Sequence, residues 1–120
     1  MKAVIDTNVI FAYLYNKDPF HNKAVEIIER YENLILPLIV VFELIYLFYK
    51  YNIELNVLKC ILHSDEVELV ENTKEDVYYA LDKNPKSYDD FNDYLILSTA
   101  KRLKVDLITF DDDLKKLFYE

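Results

Sequence analysis

The stretch Ala3–Asn8, "AVIDTN", runs three apolar residues straight into a carboxylate and two further polar side chains. A short apolar run bounded in this way has the length of a buried strand, so Asp6 falls at a strand's carboxyl end. The residues that follow repeat the alternation of strand and helix. Lys2–Ile5 reads as a strand and Thr7–Tyr15 as a helix, and His21–Tyr31 sets Ala24, Ile27, Ile28 and Tyr31 on one helical stripe. Asn33–Leu36 reads as a second strand closed by Pro37. Leu38–Tyr51 is too long for a strand and reads as a buried helix, and Leu55–His63 as another. Val67–Val70 is a third strand. Thr73 caps a helix running to about Leu81, with Asp76 three residues on in an imperfect capping box. Asp90–Leu103, Leu107–Phe110 and Asp112–Tyr119 complete the series as helix, strand and helix. Such alternation predicts an α/β fold with a mainly parallel central sheet. Ligands of these sheets bind outside the carboxyl ends of the strands, which is where Asp6 stands.

Length and composition agree with a single domain over residues 1–120. Half the residues are apolar, with seven Phe and eleven Tyr, a globular composition. Glycine is absent, so tight turns fall to Asn, Asp and Pro in "YNKDPFHN", "KYNIELN" and "NPKSYDD". The single cysteine, Cys60, has no partner for an internal disulfide and suits a reducing cytoplasm. The start lacks a signal-peptide pattern. The longest apolar run, Leu34–Tyr49, is interrupted by Pro37 and Glu43, falls short of a membrane span and reads as core. The net charge of −8 argues against a constitutive nucleic-acid binder, whose footprint is basic. That argument reverses if the acids gather in one cleft, where divalent cations supply the positive field.

Other acids fall where they can join Asp6. Glu43 is the one charged residue between Leu34 and Tyr49, set among Val40, Val41, Phe42, Leu44 and Ile45. Burying a carboxylate costs several kcal/mol, on the order of 3–5, unless it is paired, protonated or bound to a cation. No Lys or Arg lies within one turn of it on the C-terminal or N-terminal side. Asp93 heads the apolar stripe Ile96, Leu97, Ala100 and Leu103 of its helix and so faces inward. The competing reading is a cap, with Asp90 at the N-cap and Asp93 in the first turn, near the positive end of the helix dipole. Asp89 and Asp90 read as cap and solvated face. The stretch "LITFDDDL" repeats the opening pattern, a strand ending on Asp111, Asp112 and Asp113. His21 and His63 read as boundary residues, Cys60 as packing, and Lys101, Arg102 and Lys104 as a helix C-terminal cluster able to touch phosphate. Phe42, Tyr46 and Tyr49 fall at core-like spacing.

Taken together, "VIDTN", the lone Glu of "VVFE", "DYLILSTA" and "LITFDDDL" resemble the PIN domain family, in its small single-domain VapC-like form. The resemblance runs over nearly the whole chain in the right order. It implies a three-layer α/β/α sandwich and an endoribonuclease. In that family's pattern Asp6, Glu43, Asp93 and Asp111 would be the catalytic quartet that binds Mg²⁺ or Mn²⁺, with Asp113 a fifth acid and Thr7 and Asn8 flanking. The likeness also implies an RNA substrate, and a toxin restrained by a small antitoxin protein. Such chains often continue into a final edge strand, which is expected here to be missing or replaced after "KKLFYE".

Elementary chemistry asks for the same residues. Phosphodiester hydrolysis needs a nucleophile made from water and a sink for charge on the phosphate, and divalent cations supply both. Mg²⁺ and Mn²⁺ are hard ions that take carboxylate oxygens, whereas converging carboxylates without a cation repel one another. In-line attack by water leaves a 5′-phosphate and a 3′-hydroxyl and makes no use of the 2′-hydroxyl. The chemistry alone therefore leaves RNA and DNA open. A catalytically silent PIN-like module for protein or RNA contacts is the other class. A haloacid-dehalogenase or receiver-type phospho-acceptor is disfavoured, because "DTN" offers no second acid near Asp6 and "LITFDDD" no lysine. The apolar helices of the N-terminal half exceed what so small a chain can bury, so a homodimer is expected.

Overall fold

The computed structural model describes all 120 residues, Met1–Glu120. In chain order the elements are β1 (Lys2–Ile5), α1 (Thr7–Leu14), α2 (His21–Ile28), β2 (Asn33–Pro37), α3 (Leu38–Lys50) and α4 (Leu55–Leu62). Then come β3 (Val67–Val70), α5 (Lys74–Asp82), α6 (Tyr88–Leu103), β4 (Asp106–Ile108) and α7 (Asp112–Tyr119). The strands form one parallel sheet in the order β3-β2-β1-β4. The expected α/β architecture is therefore present.

The strand order explains where a crevice opens. From β1 the chain steps outward to β2 and then β3, and afterwards returns across the sheet to place β4 on β1's other side. Right-handed crossovers put the helices of the outward and return journeys on opposite faces. The reversal falls between β1 and β4, the switch point at whose carboxyl end such sheets bind ligands. Registers Val4↔Leu107 and Ile5↔Ile108 fix the two strands, and the Asp6 N–H reaching the Ile108 carbonyl at 2.9 Å extends the ladder to the first acid. The core is aliphatic. Ala3, Val4, Ile5, Leu36, Leu44 and Leu97 are fully or almost fully buried, and Phe11 meets Phe48 edge-on at 6.4 Å between ring centroids.

Several local expectations need correction. α6 begins at Tyr88, capped by Ser87, whose hydroxyl accepts the Asp90 N–H at 3.0 Å. Asp90 in turn accepts the Lys86 N–H at 3.1 Å. Serine caps as well as aspartate does, so the helix starts two residues earlier and Asp93 lies in its second turn, where no cap operates. The Thr73 capping box is complete, since Thr73 accepts from the Asp76 N–H and Asp76 from the Thr73 N–H. Asp76 is also wholly buried, taking bonds from Ser98 at 2.7 Å and Arg102 at 3.1 and 3.2 Å. Arg102 is thereby removed from any phosphate-facing cluster. β4 ends at Ile108, where its partner β1 ends at Ile5, and Thr109 places its hydroxyl on Asp6. Finally, α3 is not buried all round. Its aromatic residues Phe42, Tyr46 and Tyr49 point outward, while Val40, Val41, Leu44 and Phe48 face the core. Helical spacing identifies a stripe but not the side it faces.

Candidate active site

Each acid is held by a different element. Asp6 follows β1, is 5% exposed and caps α1: one carboxylate oxygen accepts the Thr7 N–H at 2.8 Å and the other the Thr109 hydroxyl at 2.6 Å. Glu43 projects from α3 and is half-buried, with Oε1 accepting the Thr7 hydroxyl at 2.6 Å and Oε2 the Asn92 amide at 3.5 Å. Asp93 comes from α6 and is half-buried. Asp111 is exposed and caps α7 through the N–H groups of Asp113 and Leu114.

Their proximity is written in their proton affinities. Burial pushes the Asp93 carboxyl up to about 7, with further push from the charges of Asp6, Glu43 and Asp111. Burial likewise raises Asp6, against the pull of its Thr109 and Thr7 hydrogen bonds and with the added charge of Asp111. Glu43 is raised by burial too, and the nearby charges of Asp6 and Asp89 act in the same direction. Like charges that raise one another's pKa belong to one electrostatic cluster, and clusters of this kind concentrate at functional sites.

The cluster borders a cleft of about 740 Å³, with Asp6, Thr7, Asn8, Glu43, Asn92 and Asp93 on its polar side. No Lys or Arg lines it, and Asp89, expected as solvated face, does. Asp113 is exposed in the first turn of α7 and does not line the cleft, and neither does Asp111. A second cavity, of about 390 Å³, lies at the opposite ends of the strands, around Tyr13, Tyr31, Glu32 and Glu66.

As the side chains stand, no three of the acids form a set that could hold a metal ion. The hydrogen bonds give the reason. Asp6 is turned to Thr7 and Thr109, Glu43 to Thr7 and Asp111 to its helix, as expected when mutually repelling carboxylates find donors in place of a cation. The donor set nevertheless suits a hard cation, being carboxylate, hydroxyl and amide oxygen throughout. One neighbouring atom lacks a partner. Asn92, 2% exposed, has a buried Oδ1 without any partner, and a buried orphan acceptor calls for a water or ion. Its amide cannot simply be reversed, because Oδ1 would then face the Glu43 carboxylate.

Asn92, Asp89 and Thr109 are site residues that the sequence reading did not single out. Thr109 had one signal, a hydroxyl inside the apolar run "LITF". Asn92 had only its place beside Asp93.

Comparison with known proteins adds the decisive observation: the PIN domain family model matches residues 3–117. The chain is a PIN domain. Solved structures with the same fold include VapC20 of Mycobacterium tuberculosis, a sarcin-ricin loop cleaving toxin. It has a TM-score of 0.80 and 15% identity, with 96% of this chain and 94% of that one covered. A toxin-antitoxin complex from Klebsiella pneumoniae gives a TM-score of 0.70 and 20% identity over 91% of this PIN domain and 86% of the other chain. VapBC2 from Rickettsia felis, bound to a DNA fragment from its promoter, gives 0.67 and 20% over 97% and 92%. At these identities the likeness concerns the fold. No curated protein matches this PIN domain by sequence.

Proposed function

We propose that this PIN domain is a divalent-metal-dependent endoribonuclease, a toxin of VapC type restrained by a small antitoxin protein. The observation that supports it best is the cluster of Asp6, Glu43, Asp93 and Asp111, coupled in charge at the carboxyl ends of β1 and β4. Asp6, Glu43, Asp93 and Asp111 would hold Mg²⁺ or Mn²⁺, with Asp113 a fifth acid beside them. A bound cation of this kind lowers the pKa of a coordinated water and neutralises charge on the phosphate.

The chain's own residues prepare that chemistry. Thr109 and the Thr7 N–H hold Asp6, and the Thr7 hydroxyl and Asn92 amide hold Glu43, donors that satisfy both carboxylates until a cation takes their place. Asn8 sits exposed on the rim. Preference for RNA and pairing with an antitoxin are supported by the structural neighbours, one a sarcin-ricin loop cleaving toxin and another a toxin-antitoxin complex. A neighbouring gene for a small DNA-binding antitoxin would add to this.

The test is cleavage of RNA by purified protein with Mg²⁺ or Mn²⁺, with chelator and with Ca²⁺. Cleavage is expected with the first two, none with chelator and no turnover with Ca²⁺. Undiminished cleavage in excess chelator would sink the assignment. Absence of cleavage with every ion, on every RNA tried, would favour the silent module.

A further inference from the structure

The cleft has a second wall that hydrolysis does not require. Phe42 and Tyr46, one turn apart on α3, and Tyr88, the first residue of α6, line it beside the acids. They are 59%, 66% and 72% exposed. Large aromatic side chains left this open, rimming a cavity that also holds charged groups, mark a binding surface more than a packing remainder. Glu43 lies between Phe42 and Tyr46 in sequence, so the aromatic wall and the acidic floor are built from the same turn of helix.

The charge balance decides what can sit there. A polyanion entering the cleft meets Asp6, Glu43, Asp89 and Asp93 and no Lys or Arg. The whole chain carries −8, and Arg102 is committed to Asp76. Backbone neutralisation by basic side chains, the usual source of nucleic-acid affinity, is missing from this pocket. The uncharged attraction left is aromatic stacking, which every base offers through its π-face. A second copy of the chain is the other occupant to consider, but it would bury the acids against its own negative surface.

We propose that Phe42, Tyr46 and Tyr88 are the substrate-positioning wall of this site, stacking the nucleobases that flank the scissile phosphate. The inference rests on the nuclease reading above. It makes recognition nearly indifferent to base identity at the wall and strongly dependent on the absence of pairing. With few basic contacts, binding falls only shallowly with added salt, because few counterions are released.

The test is steady-state cleavage, with Mn²⁺, of one short RNA of mixed sequence, offered single-stranded and as a blunt duplex. Parent is compared with Phe42→Ala, Tyr46→Ala, Tyr88→Ala, Tyr46→Phe and Tyr49→Ala. Tyr49 is the internal control: it continues the outward stripe of α3, 69% exposed, but does not line the cleft. The three cleft alanine variants are expected to raise KM roughly 5- to 100-fold on the single strand, the range for loss of one stacked base, with kcat little changed. Tyr46→Phe, which keeps the ring, and Tyr49→Ala are expected to match parent, and the duplex to be cut poorly by all. Quenching of tyrosine emission by the single strand gives a reading independent of turnover, since the chain has no Trp. Cleavage by parent with unchanged KM in the cleft variants overturns the wall and leaves the nuclease standing. Failure of parent on every RNA removes the nuclease reading, and the wall with it. Loss of activity together with a drop in particle mass, or equal loss in Tyr49→Ala, assigns the face to a contact between copies and overturns the proposal.

Discussion

At Asp93 the structure separates a site residue from a helix cap by the sign of a stability change. Its carboxyl caps nothing in α6 and is held up to about 7 by burial and by Asp6, Glu43 and Asp111. Asp93→Asn is therefore expected to abolish cleavage while leaving the metal-free protein as stable as parent or more so, the usual trade of stability for function. It should also shrink the stabilisation by Mn²⁺, which for parent reaches about 2.7 kcal/mol at 100 times Kd. Thermal melts with chelator and with Mn²⁺ measure both, and Asp112→Asn, an exposed neighbour outside the quartet, should behave as parent. A loss of about 1 kcal/mol in Asp93→Asn, with the Mn²⁺ response intact, would mark a cap instead. Asp6→Asn should also be inactive, yet its stability is a less clean reading because Asp6 caps α1. The pH dependence follows with a definite sign. A carboxyl whose folded pKa is raised contributes stability below its unfolded value, near 3.8, and loses it as pH rises through the folded value, about 7 for Asp93. Asp6 and Glu43 act in the same direction. Asp76 acts oppositely. Burial alone would raise it, but Arg102, the Thr73 N–H and Ser98 hold it below the usual carboxylate range, so its contribution is lost as pH falls through that lowered value. The metal-free protein should thus melt highest near pH 4–5 and lower at about pH 7, with a shallower decline in Asp93→Asn.

Between elements, the strongest polar tie is α5 to α6 through Asp76 and Arg102. Arg102→Ala leaves a wholly buried carboxylate with only Ser98 and the Thr73 N–H. It should cost about 3 kcal/mol in urea unfolding, the low end for a broken buried pair because those donors remain, with an unchanged Mn²⁺ response. This tie also marks a limit of what the sequence discloses. The order and kind of the elements were legible, because "AVI" and "LITF" are short apolar runs and "DYLILSTAKRL" has helical period. The candidate acids were legible because a lone Glu in an apolar helix and an Asp at a strand end need a reason. Three things were not. In "KSYDD" Ser87, Asp89 and Asp90 compete as caps with nearly equal propensity, and the choice of Ser87 rests on a reciprocal bond that Asp90 completes with Lys86. The outward turn of Phe42, Tyr46 and Tyr49 depends on which face of α3 meets β2 and α6, which the helical period cannot say. Asn92 and Thr109 acquire their roles only from partners 49 and 103 positions away.

For the whole molecule, exposed apolar surface bears on assembly. Tyr78 and Leu81 on α5, Val57 on α4 and Leu69 on the edge strand β3 are exposed, apolar surface away from the cleft that a contact between copies would use. A homodimer is the expected state, and light scattering at micromolar concentration should give twice 14.4 kDa; a 14.4 kDa particle would contradict it. The sheet order has one more consequence. Of the four strands β1 is made first yet lies between β2 and β4, and the hydroxyl that holds Asp6 arrives 103 residues later. Translation is slow, roughly 5–20 residues per second, against the folding of a small domain. For several seconds the growing chain therefore holds Asp6 and Glu43 without their last partner, Asp111 or the α7 that Asp111 caps. An unfinished copy therefore lacks the assembled acidic cluster, and synthesis itself sets the moment at which the cleft is complete.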